Sequence, residues 1–242
     1  MRKALRVIAI IVLQIAATTA GMTWYYFVCD APHPAARPDL VRLPAGLPDP
    51  PHGFPTLRAA MMGYVLGLVD IIDIHKKMPL PEGIEEHKDI EYGKVGDFSL
   101  KVDYYCPAKL DHPVPGLIFV HGGGWTAGNR ADYKYYLLRF AQRGYVAASI
   151  SYRFAQVAGF PGCIEDAKCA VRWMRANAAA LHVDPDRIAI IGGSAGGYLA
   201  MMVGYTAEVP ELEGNGGWPG VSSAVAAVVD EYGPVDLTVP MA

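Results

Sequence analysis

The sequence predicts an α/β fold built on a mostly parallel sheet with helices covering both faces. Three observations lead there. From residue 84 onward, short runs rich in β-branched and aromatic residues alternate with amphipathic helical stretches. The runs over 116–120, 145–150 and 188–191 are apolar at successive positions rather than alternate ones, as strands buried on both sides are. A chain of 242 residues, 52% hydrophobic and only 19% charged, also has enough apolar surface to bury such a sheet.

Residues 1–28 are expected to be a signal peptide or a transmembrane anchor. Arg2, Lys3 and Arg6 form a basic head, no acidic residue precedes Asp30, and residues 7–28 carry no charge. A basic head before an apolar run is the order of a secretory signal, and Thr18 and Ala20 are small enough to precede a cut. The extension through Trp24-Tyr25-Tyr26-Phe27 equally gives a bilayer-spanning length with aromatics at one interface, a membrane attachment through 7–28. Either reading exports the rest of the chain, because the basic end stays inside. Residues 29–83 read as a linker and an apolar helix. Eight of the nineteen prolines lie between Asp30 and Pro55, and Leu57, Met61, Tyr64 and Leu68 share one side of a helix over 56–73.

The α/β domain is expected over 84–242. Residues 86–92 and 98–105 alternate as two adjacent strands turned around 93–97. Strand 116–120 ends at His121. A helix over 132–143 is closed by Gly144 as its C-terminal cap. Strand 145–150 follows, then one long helix over 161–181 with Ile164, Ala167, Val171, Met174 and Ala178 on one face. Asp184-Pro185-Asp186-Arg187 reads as a turn before strand 188–191, followed by a helix over 195–204 and a last strand over 224–229. Cys163 and Cys169 sit six apart on one helix, badly placed to bridge. No Cys-x-x-Cys occurs, so no zinc or dithiol motif is indicated and the cysteines read as packing residues.

Charge excludes one broad class. With 21 Lys+Arg against 24 Asp+Glu the chain lacks the basic excess of a nucleic-acid binder, so no such partner is expected. Two glycine-rich segments carry the chemistry. Gly192-Gly193-Ser194-Ala195-Gly196 lies between a strand and a helix and fits G-x-S-x-G. A serine on so tight a turn needs neighbours without side chains, so that strand and helix close up and the hydroxyl projects. It then sits at a helix N-terminus, whose dipole favours developing negative charge. A merely flexible loop would not require the flanking strand and helix. His121-Gly122-Gly123-Gly124-Trp125 directly follows strand 116–120, and its glycines expose N–H donors of the kind that hold the oxyanion of acyl transfer. A phosphate loop is the competing reading, but G-x-G-x-x-G and G-x-x-x-x-G-K-[ST] are both absent.

In this order and spacing the segments resemble the esterase branch of the α/β-hydrolase superfamily, and within it the bacterial feruloyl-esterase-like and hormone-sensitive-lipase-like carboxylesterases. Glu165-Asp166-Ala167 through Arg172-Trp173-Met174-Arg175-Ala176-Asn177 is similar to that family's central helix. Asp184-Pro185-Asp186-Arg187 and Tyr232-Gly233-Pro234-Val235-Asp236 are similar to its later landmarks, so the resemblance runs from about Glu86 to Leu237. It implies Ser194 as the nucleophile, the N–H groups of Gly123, Gly124 and Ala195 as the oxyanion hole, and His121 as a brace for the loop rather than the base. It also implies a small-molecule ester substrate, an acyl-enzyme, and no metal or cofactor. Tyr198 and Ser151 depart from the family's pattern, which has histidine and aspartate there. The same elbow serves peptidases and amidases, and a non-catalytic binding module anchored at the membrane is a third reading. Trp125 and Trp218 either line a pocket or, as aromatic residues more often do, pack in the core.

All seven histidines (His33, His52, His75, His87, His112, His121 and His182) precede Ser194. In that superfamily the order is serine, acid, histidine, and a serine needs a base to be a useful nucleophile. The sequence therefore reads as the N-terminal portion of an esterase, with the acid and histidine expected beyond Ala242. His182 or a partner chain is the other source of a base. Of the late acids Asp230, Glu231 and Asp236, the last suits a turn or cap.

Overall fold

The computed structural model describes residues 78–207 and 209–238. The segment over 1–28, the proline-rich stretch and the helix over 56–73 lie outside them. Six strands form one sheet: β1 (Ile84–Val95), β2 (Phe98–Pro107), β3 (Val114–Val120), β4 (Val146–Ile150), β5 (Val183–Gly193) and β6 (Ala227–Glu231), in the order β1-β2-β4-β3-β5-β6. β4, β3, β5 and β6 are mutually parallel, while the β1–β2 hairpin joins β4 antiparallel at one edge.

The helices are α1 (Lys134–Ala141), α2 (Gly162–Ala176), α3 (Ala178–Leu181) and α4 (Ala195–Tyr205). On one face α1 packs Leu137, Leu138 and Ala141 against Leu117, Phe119 and Ala147. On the other, α2 and α4 bring Ile164, Val171, Met174, Leu199 and Val203 onto Val102, Ile118, Ile150 and Ile190. Each such side chain contributes about 1.5–3 kcal/mol on burial, so the two faces clamp the parallel strands rigidly. Among the described residues no helix is long and apolar enough to cross a membrane.

Several boundaries move from their expected places, each for a visible reason. Val95 pairs with Phe98, so the hairpin turn is only Gly96-Asp97. Gly93 belongs to β1, where a Cβ would stand 2.6 Å from Cys169 Sγ and from the Gly216 carbonyl. It marks a close approach, not a turn. The single helix over 161–181 breaks at Asn177, whose Nδ2 donates to the Trp173 carbonyl at 2.8 Å and closes α2. The Asp184–Arg187 turn is absorbed into β5. Val114 pairs with Val183 and Gly116 with Ile188, leaving the extra residues as a bulge held by Asp186 N–H on Asp184 Oδ1 at 3.0 Å. The last strand starts three residues later than expected, because the Arg175 guanidinium takes the carbonyls of Ser222 and Ala224 out of the ladder.

The central helix α2 is buried along almost its whole length. Its charges survive there by pairing: Asp166 takes Arg153, and Lys168 and Arg172 share Glu213, with Lys168 Nζ 2.8 Å from Glu213 Oε1. The three described cysteines are free thiols, and Cys169, which is buried, has the packing role expected of it.

Candidate active site

From β3 the chain passes to β4 on one side, and β5 lies on the other. The loops leaving the C-terminal ends of β3 and β5 therefore diverge and open a crevice, the usual ligand position of open α/β sheets. Both glycine-rich segments lie there. Ser194, between β5 and α4, has φ 55° and ψ −122°, a conformation that costs about 1–3 kcal/mol for a non-glycine residue and persists only where neighbours enforce it. They are identifiable. The Ser194 N–H donates to the Glu231 carbonyl at the end of β6 (2.9 Å), and the Ser194 carbonyl accepts from the Tyr198 N–H (3.1 Å). A Cβ on Gly192 would collide with the Gly196 backbone, and one on Gly196 with the Val120 carbonyl. Glycine at both positions lets α4 rise directly off the strand ends. A Cβ on Gly122 would lie 2.8 Å from the Gly193 carbonyl and 3.3 Å from Ser194 Cβ, so the two segments are in direct contact.

His121 is buried with its ring stacked on Tyr152 (4.6 Å, 21°) and edge-on to Phe154. Its Nδ1 lies 2.8 Å from the Gly122 carbonyl. A carbonyl oxygen only accepts, so Nδ1 carries the hydrogen, and burial holds the imidazole pKa below its usual value, which keeps the ring neutral at pH 7. This bond sets a direction. In a trans peptide C=O and N–H point opposite ways, so fixing the Gly122 carbonyl also fixes the Gly123 N–H. The Gly123 carbonyl is held in turn by the N–H groups of Thr126 (3.1 Å) and Ala127 (3.0 Å), which orients the Gly124 N–H. The Ser194 carbonyl, held by Tyr198, orients the Ala195 N–H at the first position of α4, where no intrahelical acceptor exists. Gly123 and Gly124 take positive φ of 112° and 60°. All three predicted donors thus belong to peptide units pinned by their opposite ends, and none is taken by a backbone acceptor among the described residues.

Beside the elbow lies an apolar cavity of about 190 Å³, lined by Trp125, Phe160, Ile164, Tyr198, Leu199 and Leu237 among others. Trp125 meets Tyr198 edge-on at 5.4 Å, so the departure from histidine at 198 supplies a cavity wall. Ser151, the other departure, binds Arg130 through its hydroxyl. Trp218 donates its indole N–H to the Tyr92 carbonyl at 2.7 Å, away from the elbow.

The late acids have local work. Asp230 Oδ1 accepts from the Gly233 N–H, Glu231 offers its carbonyl to Ser194, and Asp236 Oδ1 closes a turn with the Thr238 N–H (2.8 Å). Of the described histidines, His121 alone stands at this edge of the sheet. His182 does not: its carbonyl caps the start of β3, and it precedes β5 by one residue. Val183 lies level with Val114 and Gly192 with Val120, six residues apart along β3, so His182 stands at least about 20 Å from Ser194 at 3.3 Å per residue, which removes it as a base within this chain. Sequence reasoning missed two tyrosines. The hydroxyls of Tyr133 and Tyr232 each lie 2.9 Å from where a Gly193 Cβ would be, and burial pushes the Tyr133 phenol well up. Nothing in the spacing of Tyr133 announces this, since it arrives through the turn before α1.

The family profile described as BD-FAE matches residues 102–242, more than half of the chain. The chain belongs to the BD-FAE family. Similar proteins include Esterase LipC of Mycobacterium tuberculosis, 43% identical over 126 residues, which covers 51% of this chain and 31% of LipC. Among solved structures, Thermogutta terrifontis esterase 2 phosphorylated by paraoxon aligns with a TM-score of 0.56 at 34% identity, covering 66% of this BD-FAE chain and 61% of that one. The butyrate-bound form of that esterase aligns at 0.52 and 36% identity, covering 60% and 52%. This BD-FAE chain spans about a third of the length of the curated relatives it matches.

Proposed function

We propose that this BD-FAE chain supplies the nucleophile, oxyanion donors and acyl pocket of a serine carboxylic-ester hydrolase. The observation that carries the reading is the convergence, at one sheet edge, of a strained Ser194 with three N–H groups oriented by their own pinned peptides. Ser194 Oγ attacks the ester carbonyl carbon, and the oxyanion is held by the N–H groups of Gly123, Gly124 and Ala195. The proton given up by Ser194 Oγ passes, through a base that the described residues do not supply, to the alcohol as its C–O bond breaks, and water then hydrolyses the acyl-serine to the free acid and restores the serine hydroxyl. His121 acts through Gly122 as a positioning residue, its Nδ1–H being committed there. The small apolar cavity suits a short aliphatic acyl group, and the butyrate bound by the Thermogutta esterase supports that class.

Among the described residues no histidine is placed to take the Ser194 proton, His121 being bound to Gly122 and His182 lying at the start of β5, and this favours a second reading, a non-catalytic module of the same fold that binds esters without turning them over. Paraoxon separates the two. A phosphorylated Ser194, mapped by peptide mass spectrometry and absent in Ser194→Ala, supports the hydrolase, as does matching turnover of p-nitrophenyl butyrate. The test is run on the full-length product of the gene, and a folded product that binds the ester yet takes no label rejects the hydrolase. We also propose export with membrane attachment through residues 7–28, supported by the basic head and uncharged run. Recovery of the full chain from the cytoplasmic fraction after cell fractionation would reject that.

A further inference from the structure

A second constellation lies toward the opposite end of the sheet. On the β1–β2 hairpin Glu85 is paired with Cys106 and His87 with Tyr104, so the two-residue alternation of strands puts all four side chains on one face. His87 Nε2 stands 3.3 Å from Glu85 Oε2, and the ligand atoms of Glu85, His87 and Cys106 all lie within 4.8 Å of one another. The imidazole is fixed by stacking on Tyr104 at 4.3 Å and 11°, and Tyr104 leans in turn on Trp173. The three groups open on a cavity of about 450 Å³ whose rim also carries Lys109, Asp111 and His182.

We propose that Glu85, His87 and Cys106 form a binding site for a borderline-soft divalent transition-metal ion, zinc fitting best. One carboxylate oxygen, one imidazole nitrogen and one sulfur make a donor set that calcium and magnesium do not use and that zinc and cobalt do. Zinc bonds of about 2.0–2.3 Å place tetrahedral ligand atoms about 3.3–3.7 Å apart. The carboxylate–imidazole pair already has that spacing, and the thiol closes the remainder by side-chain adjustment of about 1 Å. Three protein ligands leave the fourth position facing the cavity, open to water. Like an ordinary thiol, Cys106 carries its proton at neutral pH in the metal-free hairpin. On binding, the S–H bond breaks, its proton passes to the buffer and the metal–sulfur bond forms. The ligands come from two strands brought together only by the hairpin register, so no Cys-x-x-Cys spacing reports them.

The test uses the full chain, reduced, stripped with a chelator and titrated with Co²⁺. Expected are a near-ultraviolet thiolate-to-cobalt band and strong tetrahedral visible bands, saturating at one ion per chain and bleached by Zn²⁺, with one proton released per ion. Cys106→Ser abolishes the thiolate band, whereas Cys29→Ser and Cys163→Ser keep it. His87→Ala and Glu85→Gln weaken Co²⁺ binding at least about tenfold, since even outer partners of a metal site contribute that much. Absence of the thiolate band at micromolar Co²⁺, or its survival in Cys106→Ser, overturns the proposal. Should Cys106→Ser fail to fold by circular dichroism, unchanged affinity in both His87→Ala and Glu85→Gln overturns it instead.

Discussion

His121 donates its Nδ1–H to the carbonyl oxygen of Gly122 at 2.8 Å, from a ring stacked on Tyr152. The bond does more than satisfy a buried donor. It fixes the plane of the peptide whose other end is the Gly123 N–H, the first donor of the proposed oxyanion hole. A phenylalanine at 121 keeps the stack and removes the bond. Paraoxon phosphorylation of Ser194 in His121→Phe is expected to slow by about 10- to 100-fold, short of the 10²–10³ lost when a donor is deleted outright. Stopped-time labelling at several paraoxon concentrations checks this. A rate equal to wild type would show that the glycine loop holds its shape without His121.

The same residue gives stability a pH dependence. Burial is the largest influence on its imidazole and lowers its pKa, against smaller opposing effects of the Gly122 bond and the Asp132 charge. The unfolded chain therefore takes up the proton first, near pH 6.5. The contribution of neutral His121 is fully present above about pH 6.5 and is lost as pH falls below it, by at most about 1.4 kcal/mol per unit. Urea midpoints at about pH 7.5 and 5.5 should drop more steeply for wild type than for His121→Phe. Parallel slopes in the two proteins would contradict the assignment.

Behind the loop, Arg153 and Asp166 form a fork. Arg153 Nη2 donates to Asp166 Oδ1 at 2.8 Å, Nε to Oδ2 at 2.9 Å, and the Arg153 backbone N–H to Oδ2 at 2.8 Å. Both side chains are nearly inaccessible. Since Arg153 follows Tyr152, the pair sets the strand exit on which His121 rests. Asp166→Asn removes the buried carboxylate of the fork and leaves the guanidinium only the outer Glu165 carboxylate, which is expected to cost about 2–3 kcal/mol in urea unfolding. Glu165→Gln, which loses only the 3.2 Å outer contact, should cost under about 1 kcal/mol. Equal effects would mean that Glu165 serves Arg153 as well as Asp166 does.

The sequence made legible whatever rests on local chemistry. Ser194 and the glycines around it announce a tight strand-to-helix turn because no other residue type permits that approach, and 116–120 reads as a central strand because it is apolar at every position. The helix face of Ile164, Ala167, Val171 and Met174 is buried as the 3.6-residue period requires. What escaped depends on partners distant in the chain. Gly93 looks like a turn until Gly216 is seen against it, and the 224–229 strand looks complete until Arg175 is seen holding its first carbonyl. Tyr133 beside the elbow and the Glu85–His87–Cys106 cluster likewise exist only through long-range pairing.

Two glycines of α4 separate intrinsic helix preference from tertiary constraint. In an unconstrained helix, Gly→Ala stabilises by about 1 kcal/mol. At Gly196 an added Cβ falls on the Val120 carbonyl and 2.8 Å from the His121 carbonyl, both rigid backbone under the oxyanion loop. At Gly204, near the far end of the same helix, it meets the side chain of Val228, which is 37% exposed and free to turn aside. Gly204→Ala should therefore stay within about 1 kcal/mol of wild type. Gly196→Ala should lose about 2 kcal/mol or more, because α4 has to lift off the strand ends, and should lose Ser194 labelling with it, since lifting α4 relaxes the elbow. Chemical denaturation and paraoxon labelling of the two variants side by side decide the matter. If Gly196→Ala were as stable and as reactive as Gly204→Ala, the close approach of α4 to β3 would not be what holds Ser194 in place.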